Sequence, residues 1–320
     1  MTNPSFTGPA GFKFTAFNRA LLALVGAAAL SGAPWARAFV IVPTFDTTIT
    51  SDTNASTIES SINQAIQVYE TDLANPITVD ITFNEMNTGL GQSNTTITSV
   101  DYASYLSALT ANATSAVDAT ALASLPNTVN NPVDGQSSLN ITAANAVALG
   151  LISFSGTAGT ISLNTSLMNL SRAATNPSLF DLESVTMHEI DEVLGTASGI
   201  GSGAISPADL FRYNSTGQRS FSATASSAFF SLNGTTLLAR YNQDPTGDFG
   251  DWFSPGGQTP QVQDAFATGG AAPNPGVELT VLDAVGFNVS TVPEPAATAM
   301  ILGGVIALWA ARRRHARRAK

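Results

Sequence analysis

The chain has 320 residues, of which only 11% are charged, and it contains no cysteine. Disulfides and thiolate metal sites are therefore excluded, and a bound metal must use histidine, carboxylate or carbonyl ligands. Residues 39–291 hold 22 of the 23 acidic residues but only four arginines and no lysine, so their net charge is about −18. Such a surface repels phosphates, and we expect no nucleic-acid binding.

The N-terminus has the charged, apolar and small-residue order of a secretory signal. Lys13 and Arg19 are its only charges before an apolar run at residues 20–33, and Pro-Trp-Ala-Arg-Ala follows. The run is shorter than the roughly 20 helical residues that a membrane span needs, which favours cleavage over a retained anchor. We therefore expect residues 1–38 to be a signal peptide that is removed after Ala38.

Helix and strand patterns alternate in the first part of the remaining chain. Apolar side chains at spacings of three and four predict helices at 56–73, 102–122 and 143–149. Strands are predicted at 39–42, 77–83 and 161–164, and a loop is predicted at 126–138. This mixture indicates an α+β domain.

A longer helix is predicted over residues 178–194, and Gly195 ends it. Beyond that glycine the sequence is rich in Gly, Ser, Asn and Pro. It offers only a short strand pattern at 235–241 and an apolar turn at 279–289. We expect one domain over residues 39–290.

The helix predicted at 178–194 carries a cluster of ligand-type side chains, in the sequence His-Glu-Ile-Asp-Glu at 188–192. His188 and Glu192 are four residues apart and therefore share one side of a helix, with Glu189 about 100° away. In H-E-x-x-H proteases the first and last residues bind Zn²⁺, and the glutamate is the general base on the metal-bound water. Carboxylate is an acceptable zinc ligand, so this spacing predicts a metal site. The alternative is a solvated acidic face with one incidental histidine.

A third metal ligand must be a carboxylate. His188 is the only histidine before the tail, because the other one, His315, belongs to a basic cluster. Asp209 is the first candidate, since it follows the helix after a Gly-rich turn. Asp248 and Asp251, in Gly-Asp-Phe-Gly-Asp-Trp, are second candidates, because such carboxylate loops are as often solvated turns or Ca²⁺ sites.

The motif resembles that of the metzincins. Gly195 follows His188 by seven residues, as does the glycine in H-E-x-x-H-x-x-G-x-x-H. Together with segments 209–213 and 282–287, it is similar to a group of PEP-CTERM-tailed metalloproteases. The resemblance implies a zincin-like single domain with a mixed sheet and an active-site helix. It also implies Zn²⁺ held by His188, Glu192 and a third ligand, with Glu189 as the catalytic base.

Three departures from the metzincin pattern are visible. Glu192 replaces the second histidine, and Ser198 stands at the position of the third ligand. No methionine follows Gly195 before Met300, so a methionine turn cannot be assigned. A charged ligand weakens the Lewis acidity of the metal, so metal binding is better supported than activity.

The C-terminus has the order of a membrane-sorting tail. Val-Pro-Glu-Pro at 292–295 precedes an uncharged run at 296–311 and a basic cluster that ends at Lys320. This order resembles the PEP-CTERM tail of exosortase substrates, which implies an exosortase-like processing enzyme as a partner. The basic cluster favours the cytoplasmic side, so residues 291–320 would hold the domain outside the membrane. An ordinary single-pass anchor is the alternative.

The sequence therefore predicts an exported, surface-sorted zinc peptidase that hydrolyses peptide or protein substrates. Zn²⁺ is the expected cofactor, and Ca²⁺ is a candidate structural ion. The alternative function is that of a non-catalytic surface or matrix protein on a degenerate metalloprotease scaffold.

Overall fold

The computed structural model describes residues 39–290 except 174, 216, 225 and 226. The signal peptide predicted at 1–38 and the sorting tail predicted at 291–320 lie outside the described residues. In the described part of the chain, no helix is both long and apolar enough to cross a membrane.

The described residues form a mixed α/β fold. Its helices are α1 (Thr47–Thr50), α2 (Ala55–Asp72), α3 (Tyr102–Asn112), α4 (Ala116–Ser124), α5 (Ala143–Ala148), α6 (Leu182–Leu194) and α7 (Val277–Val285). Its strands are β1 (Val40–Phe45), β2 (Thr78–Glu85), β3 (Gly91–Thr95), β4 (Ile97–Asp101), β5 (Ser138–Thr142), β6 (Thr157–Leu163), β7 (Met168–Asn169), β8 (Phe180–Asp181), β9 (Arg212–Ser215), β10 (Gln218–Arg219), β11 (Phe229–Phe230) and β12 (Ala239–Arg240).

The largest sheet is mixed, as the sequence predicts, with the strand order β1-β2-β6-β3. β1 and β2 pair in parallel, as do β2 and β6, whereas β3 runs antiparallel to β6 at the edge. Helix α6 packs against β3, β6 and α2. The edge strand and this helix are therefore neighbours.

Helix α2 confirms the helix that the apolar spacing predicts at 56–73. All five apolar positions that define its predicted inner face are buried: Ile58, Ile62, Ala65, Ile66 and Tyr69. The Tyr69 hydroxyl donates a hydrogen bond to the Met187 carbonyl at 2.9 Å. This bond and the apolar contacts fix α6 against α2.

The predicted helix at 102–122 is wrong in one respect, because the structure divides it into α3 and α4. The Ser115 side chain accepts from the Asp118 N–H, and Asp118 accepts from the Ser115 N–H, which forms a capping box that begins α4. Strands β3, β4 and β5 lacked a sequence prediction. They are short, and polar residues on β3 hide the alternation that marks a strand.

After α6 the chain forms a smaller antiparallel sheet, in the order β10-β9-β11-β12, and long loops. The strand predicted at 235–241 is reduced to β12. The apolar turn predicted at 279–289 is instead a helix, α7, which ends at Gly286 with a φ of 115°. The main chain at Trp252 joins two loop segments through isolated β-bridges, one to Tyr241 and one to Asp264.

Candidate metal centre

Helix α6 begins and ends with its own capping groups. The Asp181 carboxylate accepts the Ser184 N–H at 3.0 Å, which satisfies a free donor of the first turn. Gly195 ends the helix with a φ of 138°, a conformation that side chains other than glycine rarely adopt. These caps set the two ends of the helix that carries residues 188–192.

The acidic residues of α6 are buried. Glu189 is 5% exposed, Asp191 is 0% exposed and Glu192 is 8% exposed. The alternative of a solvated acidic face is therefore wrong. Burying carboxylates costs free energy unless they are neutralised, hydrogen-bonded or bound to a metal.

Three side chains converge beside α6, and we call them the ligand group: His188, Glu192 and Asp251. The His188 Nε2 atom lies 3.7 Å from Asp251 Oδ1 and 3.9 Å from Glu192 Oε1. One ligand atom from each residue lies within 4.8 Å of the others. The ligand group could hold a metal ion.

The spacing of these atoms can be compared with zinc geometry. Zinc–nitrogen and zinc–oxygen bonds of about 2.0–2.1 Å at tetrahedral angles separate ligand atoms by about 3.4 Å. The two measured separations exceed this value by a few tenths of an ångström, which side-chain rotation can supply. The donor set of one imidazole and two carboxylates also suits zinc. These separations and this donor set are compatible with a bound metal ion.

The orientation of His188 is set by a main-chain contact. Its Nδ1 atom lies 3.0 Å from the Val262 carbonyl oxygen, which can only accept a hydrogen bond. Nδ1 therefore carries a proton, and in the neutral ring Nε2 has the free lone pair that faces the two carboxylates.

Gln263 contacts two members of the ligand group. Its Nε2 atom donates to Asp251 Oδ1 at 2.9 Å and lies 3.2 Å from His188 Nε2. Its Oε1 atom is buried and has no hydrogen-bond partner among the described residues. When the His188 ring is neutral, a metal ion would displace this contact, because the metal and the Gln263 amide would use the same lone pair on Nε2.

Strand β3 contacts the two glutamates of the motif. The Ser93 hydroxyl donates to Glu192 Oε2 at 2.6 Å, which leaves Oε1 toward His188. Gly91 lies against Glu189, and a Cβ atom at position 91 would overlap both the Glu189 carboxylate and Val185. Glycine is therefore required where the edge strand passes the predicted base.

Burial and mutual repulsion shift the protonation of the site. Burial lowers the pKa of His188, but Asp251, Glu189 and Glu192 outweigh it and raise that pKa to about 10. Burial raises the pKa of Asp251 to about 7, and it also raises the pKa of Glu189 and of Glu192. One imidazolium cannot balance three carboxylates, so a dication would relieve the excess negative charge.

The ligand group lies in the wall of a cavity of about 470 Å³. His188, Glu189 and Glu192 line one side of the cavity, and the beginning of β3 lines another. Loop residues 246–248, 260–262 and 264–268 also line it. The ligand group is therefore reached from this cavity.

Asp209, the third ligand predicted from the sequence, does not lie in the ligand group; Asp251 is the carboxylate that lies beside His188 and Glu192. The Asp209 carboxylate accepts hydrogen bonds from the Ser198 hydroxyl, from the Gly199 N–H and from both the N–H and the hydroxyl of Ser206. These bonds occupy its oxygens and organise the loop after α6. Its role is structural.

Sequence reasoning found four members of the site and missed two. His188, Glu189 and Glu192 follow from helical spacing, and Asp251 was a second candidate in its Gly-Asp-Phe-Gly-Asp-Trp segment. Gln263 and the Val262 carbonyl carried no sequence signal. An amide and a main-chain oxygen have no distinctive pattern, and both lie more than 70 residues from His188.

Comparison of the chain with protein-family models, with curated proteins and with solved structures finds no match in any of the three.

Proposed function

We propose that this protein is a zinc-dependent peptidase with a zincin-like domain. The observation that carries the proposal is the convergence of His188, Glu192 and Asp251 at the wall of a cavity, with Glu189 beside them. His188 and Glu192 are one helical turn apart on α6, as zinc peptidases require. The mixed sheet with an antiparallel edge strand next to α6 supports the zincin-like assignment.

The chemistry divides between the metal and the protein. Zn²⁺ bound by the ligand group would polarise a substrate carbonyl and make a water molecule more acidic. Glu189 removes a proton from the attacking water and returns it to the leaving amine. A raised pKa suits this role, because the protonated carboxyl must act as an acid in the second step. Gly91 leaves room for the Glu189 carboxylate, because a Cβ atom at position 91 would overlap it.

Strand β3 offers a binding edge for an extended peptide. It is the last strand of its sheet, and its residues 91–93 line the cavity. The main-chain groups on its outer edge can pair with a substrate segment, which would place a peptide bond beside Glu189. Peptides or proteins are therefore the substrate class that we propose.

One contact favours a second candidate function. Gln263 Nε2 already satisfies Asp251 Oδ1 and lies 3.2 Å from His188 Nε2, so the site can exist as a hydrogen-bonded network. In that case the protein is a non-catalytic surface or matrix protein on a metalloprotease-like scaffold. Zinc content and peptide hydrolysis together separate the two functions, because the hydrogen-bonded network needs neither zinc nor turnover.

The decisive experiment measures zinc and peptide hydrolysis in parallel. We expect the purified chain to bind about one Zn²⁺ and to cleave members of a broad peptide library. Glu189→Gln should retain the zinc and lose about 10²- to 10⁴-fold in hydrolysis rate, which is the usual contribution of a general base. Glu59→Gln, in α2 and outside the cavity lining, removes the same charge and should change neither quantity. Zinc binding without cleavage of any peptide would leave the non-catalytic function.

We also propose that the protein is exported and is sorted to the cell surface by residues 291–320. The apolar run at 296–311 and the basic cluster after it support this location. Deletion of residues 292–320 should release the protein into the medium, measured by immunoblot of the cell and medium fractions. A truncated chain that stays with the membrane fraction would contradict the sorting role. In the full-length protein, mass spectrometry that still finds Arg318 after maturation would favour a plain anchor.

A further inference from the structure

The cavity beside α6 is strongly acidic. Among the described residues, six carboxylate residues line it and no lysine or arginine does: Asp181, Glu189, Glu192, Asp248, Asp251 and Asp264. A wall of this kind attracts a positively charged group and repels a carboxylate or phosphate, most strongly where water is excluded.

Four of the six carboxylates already have a counter-charge or a proposed role in the metal site. Asp181 forms a salt bridge of 2.7 Å with Arg172. Glu192 and Asp251 belong to the ligand group, where two charges of a zinc ion would offset them, and Glu189 is the proposed base. In the described part of the chain, Asp248 and Asp264 form no salt bridge within 4.0 Å.

Asp264 is the better placed of these two residues. It is only 8% exposed and still lines the cavity. Its Oδ2 atom accepts the Gln261 N–H at 2.9 Å, while its Oδ1 atom accepts no hydrogen bond from the described residues. It directly follows the two residues whose atoms contact His188, so this carboxylate lies on the same loop segment as the contacts of the ligand group.

The surroundings of Asp264 fit the side chain of lysine or arginine. Pro260, Val262 and Ala265 line the cavity next to it and can cover an aliphatic stem. Calcium would need six to eight oxygen ligands, whereas an ammonium or guanidinium group needs only a few acceptors. Asp248 is exposed at the cavity and adds negative charge along the entry.

We propose that the cavity selects peptides with a lysine or arginine side chain close to the bond that is cut, and that Asp264 is the specificity-determining residue. This inference rests on the proposed peptidase function, because it names the substrate class of the same site. Because the proposal concerns substrate recognition, a measurement of peptide binding can test it without turnover.

The test compares two fluorescent peptide libraries that are identical except that norleucine replaces lysine. Binding to the zinc-loaded, full-length Glu189→Gln variant is measured by fluorescence anisotropy. The lysine library should bind about tenfold more tightly, which is the usual effect of one charge-assisted hydrogen bond. The preference should shrink at high salt and disappear in a second variant that adds Asp264→Asn. It should persist when Glu59→Gln is added instead.

Equal binding of the two libraries would overturn the proposal, as would a preference that survives Asp264→Asn. The library comparison needs no change at position 264, so it remains decisive if that variant does not fold. Failure of the peptidase function would be seen separately, as zinc-loaded wild-type protein that cleaves neither library. A lysine preference in binding without cleavage would support the recognition site and reject the peptidase.

Discussion

Two regions of the molecule build the candidate site in different ways. The sheet region, residues 39–195, contributes His188, Glu189 and Glu192 from one helix and the edge strand that faces them. The loop region, residues 196–290, contributes Asp251 from a segment with little regular structure. Helical geometry alone sets the spacing of the first three side chains, whereas the position of the last depends on the path of the loops.

This difference indicates where the site is vulnerable. The loop region holds its segments through individual contacts, such as the hydrogen bond from the Trp252 indole to Glu278 Oε1 at 3.0 Å. The main-chain N–H of Gln263 donates to the same oxygen at 3.0 Å. Glu278 therefore joins the segment that carries Asp251 to the segment that contacts His188.

The largest effect should come from the loop-region ligand itself. Asp251→Asn removes a negatively charged ligand, and we expect zinc affinity to fall by at least about 100-fold, beyond the 10- to 100-fold typical of outer-shell changes. Asp209→Asn is the matched variant, because it changes another buried aspartate of the same region. It should retain zinc affinity, while the loss of hydrogen bonds to Asp209 should lower the free energy of unfolding by about 1–3 kcal/mol.

Competition with a chromogenic zinc chelator measures the affinities, and thermal unfolding measures the stabilities. The assignment of Asp251 as the ligand from the loop region is contradicted if Asp209→Asn loses zinc affinity and Asp251→Asn keeps it. That result would restore Asp209 as the third ligand and would require a different loop path.

The same comparison explains how far the sequence can predict this protein. The inner face of α2 and the ligands on α6 depend on neighbours three or four residues away, so periodicity finds them. Asp251 meets His188 across 63 residues of chain, and the local pattern in Gly-Asp-Phe-Gly-Asp-Trp is equally typical of a turn. The split between α3 and α4 was missed for a related reason, since one capping box outweighed continuous helical spacing.

A smaller effect is expected at Gln263, which links the two regions through His188. Gln263→Ala removes the amide that lies 3.2 Å from His188 Nε2, and we expect zinc affinity to rise about tenfold because one hydrogen bond no longer competes. Chelator competition measures the change. Gln243→Ala is the control, because its amide donates only to main-chain oxygens among the described residues. A fall in affinity would mean that Gln263 chiefly positions Asp251.

A final effect, on stability and not on zinc binding, is expected where the two regions also meet, between α4 and α7. Burial and the nearby Asp118 raise the pKa of Asp283 from 3.8 to about 6. The folded state therefore binds this proton more tightly than the unfolded state, so the residue lowers stability as the pH rises from about 4 through 6. Asp283→Asn should stabilise the protein at pH 7 by about 1–2 kcal/mol after allowance for solvent screening, or a few degrees in Tm. Well below pH 3.8 the carboxyl is protonated in both states, and the variant should match the wild type. Calorimetry at the two pH values measures the difference, and a gain of equal size at both would show that packing, not charge, is responsible.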